Sequence, residues 1–287
     1  MLIILKSLAF IPFWILYPLG DFFSLILRLI YRKEIVFNNL QIAFPNHSEK
    51  ELSKIRRQYY RNFLQVIAEV VKTSSISAKE LKQRVKLVNP ELLEEEYNQG
   101  NSVLMFASHF CNWEWAAHAV TLQTSYNLDP VYKVQSNPKL DRFILDIRSR
   151  FGGQPIPKEN TARNILRNKD KQRAIGFVAD QKPYRKSARV WLNFLGKETA
   201  FFRGGILMPY MSQFPCYFMK VVRVKRGYYE MEAIKIGQPK YEKNDPSVIK
   251  NYIREVEKQI AEHPADWLWS HRRWVKKRDE DEELLAY

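Results

Sequence analysis

Cysteine is nearly absent: Cys111 and Cys216 are the only two in 287 residues, which excludes a disulfide framework and a cysteine-rich zinc module. Long glycine-, serine- or proline-rich linkers are missing, and no segment recurs at a period of about 20–50 residues, which argues against repeat architectures. Acidic residues are scarce beside basic ones, 31 against 46, for a net charge of +15. That excess asks for an anionic partner, whether nucleic acid, a membrane surface or an acidic substrate; composition alone does not choose. With 46% hydrophobic residues the chain can bury a core, which excludes disorder. Its length suits one large α/β domain or two small ones.

The N-terminus begins to choose. Between Ser7 and Leu27 the only charge is Asp21, and a continuous helix of that length would run roughly 30 Å, the thickness of a hydrocarbon core. Pro12 and Pro18 oppose a straight helix, and Asp21 sits badly inside lipid. A cleaved signal peptide fits poorly, because no small-residue cleavage site succeeds the run and Phe13, Trp14, Phe22 and Phe23 extend too far. Arg28, Arg32 and Lys33 come after the run and Lys6 precedes it, a balance that mildly favours the body on the cytoplasmic side. Residues 1–33 are therefore expected to anchor the chain in a membrane, spanning it or lying in its interface. The alternative is a buried amphipathic helix.

Residues 34–275 read as a folded domain. Ser48 to Glu51 is a capping box opening a long helix to about Val71, with Lys54, Arg56, Arg57 and Arg61 on its polar face. Ser77 to Glu80 starts a short helix, and Asn89-Pro90 opens another that Gly100 stops. Ser102–Ala107 is a short apolar run typical of a buried strand. Val131–Val134, Arg173–Val178, Val190–Phe194, Pro215–Val224 and Tyr228–Ile236 also read as strands. Helices are expected to about Thr124, from Asn137-Pro138 to Gly152-Gly153, and over Thr161–Asn168, Thr199–Met211 and Pro246–Glu262. This alternation implies an α/β fold with a mixed, largely parallel central sheet flanked by helices. Residues 276–287, with Asp279 to Glu283, read as a solvated acidic tail.

Chemistry-bearing residues cluster after the first long strand, in Ser108-His109-Phe110-Cys111-Asn112-Trp113-Glu114. The junction of a strand end with a helix start is where open α/β sheets build sites. Two residues five apart on one helix point about 140° apart, so His109 and Glu114 meet only if His109 lies in the turn and Glu114 in the first helical turns. A carboxylate on one imidazole nitrogen would fix the tautomer and leave the other nitrogen to take a proton. No further His or Cys stands at metal-ligand spacing, so no metal is expected. His47, His118 and His263 show no partner pattern; His118 reads most simply as a core or surface residue.

His109-x4-Glu114 resembles the H-x4-[DE] motif of glycerolipid acyltransferases, in the glutamate form of the late lipid A acyltransferases, the lauroyl and myristoyl transferases. More of the chain agrees, in the family's order. Asn39 to Pro45 (NLQIAFP) resembles its N-L-x-x-x-F-P segment, and Val131-Tyr132-Lys133 with Asn137-Pro138 is similar to its Y-R/K…N-P block. Ala179-Asp180-Gln181 matches P-D-Q apart from the alanine. Phe194-Leu195-Gly196 with Thr199 and Arg203 resembles F-x-G…T…R, and Trp269 to Trp274 (WSHRRW) resembles the C-terminal W-x-H-R-R block. Lys182-Pro183 and Phe201 to Gly205 depart from the usual pattern, which bears on the acceptor rather than on acyl transfer.

The resemblance implies a membrane-associated enzyme of the bacterial inner membrane, its catalytic domain facing the cytoplasm. It would move an acyl chain from an acyl-carrier-protein thioester (coenzyme A being the other donor) to a hydroxyl of a phosphorylated disaccharide lipid, the lipid A precursor, with no cofactor. The runner-up acceptor is a lysophospholipid or another glycolipid or amino-lipid. His109 would be the base, oriented by Glu114. A covalent route through Cys111 is the less direct alternative, since attack by the bound hydroxyl needs no nucleophile from the protein. Lys133, Arg163, Arg185 and Arg203 are the candidate anion binders, Arg203 foremost, and Asp180 would hold a basic residue or a structural hydrogen bond. The tryptophans flanking His271-Arg272-Arg273 suit a membrane interface or packing on the sheet. A nucleic-acid-binding protein would explain the charge, but no RNP, zinc-finger or helix-turn-helix signature accompanies it. A non-catalytic membrane scaffold leaves His109 and Glu114 unexplained.

Overall fold

The computed structural model describes residues 7–183 and 185–285. The first six residues of the expected anchor, Tyr184, and Ala286 and Tyr287 of the expected tail lie outside the described residues.

Two helices, α1 (Phe13–Ile30) and α2 (Lys33–Ala43), precede the body of the fold. Seven strands form its central sheet: β1 (Val85–Leu87), β2 (Val103–Ala107), β3 (Leu128–Tyr132), β4 (Ile156–Pro157), β5 (Ala174–Val178), β8 (Cys216–Lys225) and β9 (Tyr228–Gly237), in the order β1-β9-β8-β2-β5-β3-β4. All neighbours are parallel except the hairpin pair β8 and β9. All five residues of β2 are buried, as expected of a central parallel strand covered on both faces. The longest helix of the body is α3 (Glu49–Lys72), followed by the short α4 (Ala78–Arg84) and α5 (Pro90–Asn98). Between and after the strands come α6 (Trp113–Gln123), α7 (Pro138–Arg148), α8 (Thr161–Arg167), α9 (Gly204–Ser212) and α10 (Ser247–Glu262). The capping box at Ser48 forms, with Glu51 accepting from the Ser48 amide and Ser48 Oγ from the Glu51 amide. The α/β class with a largely parallel sheet is thus the one read from the sequence.

Register positions the site. β2 and β5 are parallel neighbours with Ala107 opposite Val178. The residues two beyond each strand, His109 and Asp180, therefore emerge side by side at the carboxyl edge of the sheet, where ligand crevices form in open α/β folds.

Three expectations are corrected. The helix expected from Thr199 begins at Gly204, as α9; Lys197–Phe202 is instead β7, paired antiparallel with β6 (Arg189–Phe194). Leu195 and Gly196 both have positive φ, the signature of a two-residue hairpin turn that matches strand twist. Of the strand expected over Val131–Val134 only Val131 and Tyr132 are in β3, which starts earlier, at Leu128, and β1 and β4 are too short to leave a periodic signal. The acidic tail is also not simply solvated. Asp279 and Glu282 bond Arg189, Asp281 bonds Lys186, and Leu284 bridges to Trp191, because the basic edge of the hairpin complements it.

The N-terminal run forms α1 despite Pro18. It is long and apolar enough to cross a membrane, and only 17% of it is buried, so it is a candidate membrane anchor. Trp14, Phe22, Phe23, Leu29 and Ile30 face outward. Asp21, awkward in lipid on sequence grounds, faces the domain: its carboxylate lies 2.8 Å from Arg61 and 2.7 Å from Arg226 and accepts from Gln65. One face of the helix is thus docked through a charge cluster while the other stays apolar. The short α2 joins it to the body.

Candidate active site

His109 stands in the turn between β2 and α6. Asp180 Oδ1 lies 2.6 Å from its Nδ1, and Asp180 Oδ2 accepts from the His109 amide at 3.0 Å and from the Trp267 indole at 2.8 Å. Burial alone would push the Asp180 carboxyl up, but His109 and these donors hold it below its ordinary value. An ionised carboxylate only accepts, so Nδ1 carries a proton, and in the neutral ring Nε2 is the nitrogen that can take one. Gln181 Nε2 lies 3.1 Å from that Nε2, and the Trp113 ring meets the imidazole edge-on at 4.9 Å.

This corrects the orienting partner. The carboxylate bonded to His109 is that of Asp180, 71 residues away in sequence. Glu114, in the first turn of α6, is gripped by the Arg148 guanidinium through both oxygens and accepts from the Trp113 indole at 3.2 Å. Burial raises the Glu114 carboxyl, but Arg148 overrides it and holds the group below the usual carboxylate range. Glu114 therefore sits near the histidine as half of a partly buried ion pair with Arg148, with Trp113 touching both residues.

A cavity of about 610 Å³ opens at His109. Phe106, Val131, Phe177, Val178 and Met208 give it apolar walls, and Lys133, Arg148, Lys158, Lys182 and Arg203 give it positive charge. Lys133 and Arg203 thus reach the cavity from exposed rim positions. Arg163 and Arg185 are exposed and outside its lining; Arg163 leaves the solvent side of α8, whose neighbours Thr161 and Ala162 face inward. A second, more apolar groove of about 450 Å³ runs between α3 and α7, past Val66, Ile67, Val70, Phe143 and Ile147. The two spaces share Trp113, Ile144 and Gln181, so they converge beside the histidine. Among the described residues no group of three or more His, Cys, Asp or Glu is placed to hold a metal ion.

Sequence reasoning missed Arg148, Gln181 and Trp267. Gln181 adjoins a residue already singled out and was within reach; nothing local marks Arg148, which comes from the last turn of a neighbouring helix. The C-terminal block is structural as well as adjacent. Trp267 and Trp269 are buried, Asn39 Nδ2 donates to the Trp269 and His271 carbonyls at 2.8 Å each, and Arg32 donates to the Ser270 carbonyl. The NLQIAFP segment and WSHRRW, 230 residues apart, thus form one unit. His271 Nε2 accepts from the Lys182 amide, and burial pushes that imidazole down to about 4, so it is neutral near pH 7. Cys111 is buried, and burial pushes its thiol well up, which disfavours the thiolate that a covalent route needs.

The family model for bacterial lipid A biosynthesis acyltransferases matches residues 1–276. A lipid A biosynthesis acyltransferase of Haemophilus influenzae is 23% identical over 239 residues, covering 80% of this chain and 72% of the relative. A lipid A biosynthesis palmitoleoyltransferase of Escherichia coli is also 23% identical, over 85% of this chain and 78% of its own. The lipid A biosynthesis lauroyltransferase of the same organism is 24% identical, over 92% and 86%. With a match spanning nearly its whole length, the chain belongs to the bacterial lipid A biosynthesis acyltransferase family.

Proposed function

We propose that the protein transfers a fatty acyl chain from an acyl-carrier-protein thioester to a hydroxyl of a lipid A precursor, at the cytoplasmic face of the bacterial inner membrane. The observation that carries this reading is an imidazole held by a buried carboxylate, its other nitrogen beside a cavity with apolar walls and a basic rim. His109 Nε2 takes the proton of the acceptor hydroxyl as its oxygen attacks the thioester carbonyl. The tetrahedral adduct then expels the thiolate, which takes the proton back from Nε2. Asp180 keeps the imidazole in the required tautomer and stabilises the imidazolium that forms. Glu114 and Arg148 act as a rigid pair at the wall, Arg148 presenting positive charge to the cavity. Lys133 and Arg203 suit phosphate groups of the acceptor or of the donor's phosphopantetheine. Two convergent spaces suit a reaction that brings two lipid chains to one base.

The family membership favours this acceptor over a lysophospholipid. Membranes carrying the full chain, given a labelled acyl-carrier-protein thioester and either a lipid A precursor or a lysophospholipid, separate the two. Transfer to the precursor that falls at least about a hundredfold in His109→Ala is expected. Equal transfer by both proteins, or transfer to the lysophospholipid alone, would overturn the proposal.

A further inference from the structure

The turn that carries His109 is strained. Cys111 has φ +48 without being glycine, a conformation that persists only where its surroundings over-determine it. Backbone bonds supply part of the restraint: the Cys111 amide donates to the Asp266 carbonyl and the His109 carbonyl accepts from the Leu268 amide, both at 3.0 Å. The rest comes through Asn112, which is wholly buried. Its Oδ1 caps α6 by accepting from the Trp115 amide, and its Nδ2 donates to Glu69 Oε2 at 2.9 Å.

Glu69 is a fully buried carboxyl group, pushed up by burial against the pull of Arg223 and its hydrogen-bond donors, that neither the cavity nor the chemistry uses. Three neutral donors surround it: Asn112, the Tyr229 hydroxyl at 2.7 Å and the Tyr17 hydroxyl at 3.0 Å. Tyr17 belongs to the apolar helix α1. Its neighbour Phe13 stacks on it and also meets Trp115 of α6 edge-on. An unbroken chain of bonds therefore runs from the candidate membrane helix through Tyr17, Glu69 and Asn112 to the turn of His109. Losing a donor from a buried carboxyl oxygen is expensive because no water replaces it.

We propose that Glu69 is a positioning residue that couples the seating of the membrane helix to the geometry of the His109 turn. With α1 docked, Tyr17 completes the donor set of Glu69, and Glu69 holds Asn112 and hence the turn. With α1 withdrawn, the carboxyl group lacks a donor, Asn112 is released and the His109–Asp180 contact loosens. The proposal rests on the reading of His109 as the base, and it makes turnover depend on how the protein sits in the bilayer.

Tyr17→Phe tests it, because the variant keeps the ring that packs on Phe13 and removes only the hydroxyl. Full-length protein in phospholipid nanodiscs is assayed with the labelled thioester and the lipid A precursor, rates being normalised to bilayer-bound, folded protein. In parallel, the Nδ1 proton of His109 is followed by NMR after selective histidine labelling and assigned with His109→Gln. A fall in kcat of about five- to thirtyfold, with both KM values within about twofold, and a weakened or shifted Nδ1 proton signal is expected. Tyr229→Phe, which removes a donor from the domain side, should act in the same direction, and the double variant should fall short of the product of the two. Wild-type kcat with an unchanged proton signal overturns the coupling, as does a rise in KM alone, which would make α1 a tether only. The proton signal reports geometry independently of turnover. If His109→Ala keeps full activity while the signal still responds to Tyr17→Phe, it is the catalytic reading that fails and not the coupling.

Discussion

Replacing Asp180 by asparagine should disable the protein through one proton. Asp180 Oδ2 accepts two bonds, from the His109 amide and from the Trp267 indole. Both donors are fixed, so an asparagine there must turn its only oxygen toward them. Its Nδ2 then occupies the position of Oδ1, 2.6 Å from His109 Nδ1 in the present protein. An amide nitrogen donates, so Nδ1 must become the acceptor and the ring proton moves to Nε2. The nitrogen that should receive the hydroxyl proton is then occupied. Gln181 can adapt by turning its amide oxygen toward the ring, which lowers the cost of the wrong tautomer and makes the trap deeper.

The fold should tolerate the change, since volume and two of the three bonds persist. General-base catalysis is worth about 10²–10⁴-fold, and most of that should disappear from kcat while KM for the acceptor moves little. Single-turnover acyl transfer with saturating thioester gives the chemical step directly. In His109→Ala the carboxylate has nothing left to orient, so adding Asp180→Asn should cost less than about threefold more. Retention of more than a tenth of wild-type turnover by a folded Asp180→Asn protein would refute the reasoning. So would losses in the two single variants that multiply in the double one.

Arg203 reaches the cavity rim from an exposed position and has a long contact of 3.4 Å to Asn244. Solvent screening therefore limits its contribution, and Arg203→Ala should lower kcat/KM for a phosphorylated acceptor about tenfold, with Arg203→Lys recovering only part because the planar fork is lost. A defect of the same size on a dephosphorylated acceptor, measured side by side, would remove Arg203 from acceptor binding. His118 is buried, its Nε2 has no hydrogen-bond partner among the described residues, and burial pushes its imidazole down to about 4. The unfolded chain, with histidine near 6.5, then binds more protons than the folded one between about pH 4 and 6.5, so stability falls as pH falls through that window. From the ordinary value to pH 5 the loss is about 2 kcal/mol. Urea denaturation of His118→Leu at pH 7 and pH 5 should show that share of the acid sensitivity gone; an unchanged difference would refute the assignment.

How much of the fold and site is legible in the sequence depends on how far apart the determinants lie. Capping boxes, buried strands and the glycine stops are local, and they deliver the α/β class and most element positions. The hairpin strand Lys197–Phe202 is hidden because Thr199 to Met211 lacks helix-breaking residues until Gly204, while the turn at Leu195-Gly196 has no Asn-Gly or Asp-Gly to announce it. His109 is legible because it follows an apolar strand by two residues. Local spacing points its orienting carboxylate to Glu114, the nearest acid in sequence. The actual partner comes from strand register: once β2 and β5 are parallel neighbours with Ala107 opposite Val178, Asp180 is the residue that must face His109.

The same distinction explains Glu114. A carboxylate five residues from the histidine could orient it or could serve the wall of the site. The choice depends on whether a stronger partner arrives from elsewhere. Arg148 does arrive, at the end of α7, and a guanidinium that grips both oxygens of a partly buried carboxylate outcompetes a neutral imidazole for them. Asp180 is not gripped in this way; its donors are an indole, an amide and the imidazole itself, so its charge is left to act on His109. Two acids near one histidine thus take different partners, and the partner with the fixed positive charge decides which acid remains for the imidazole.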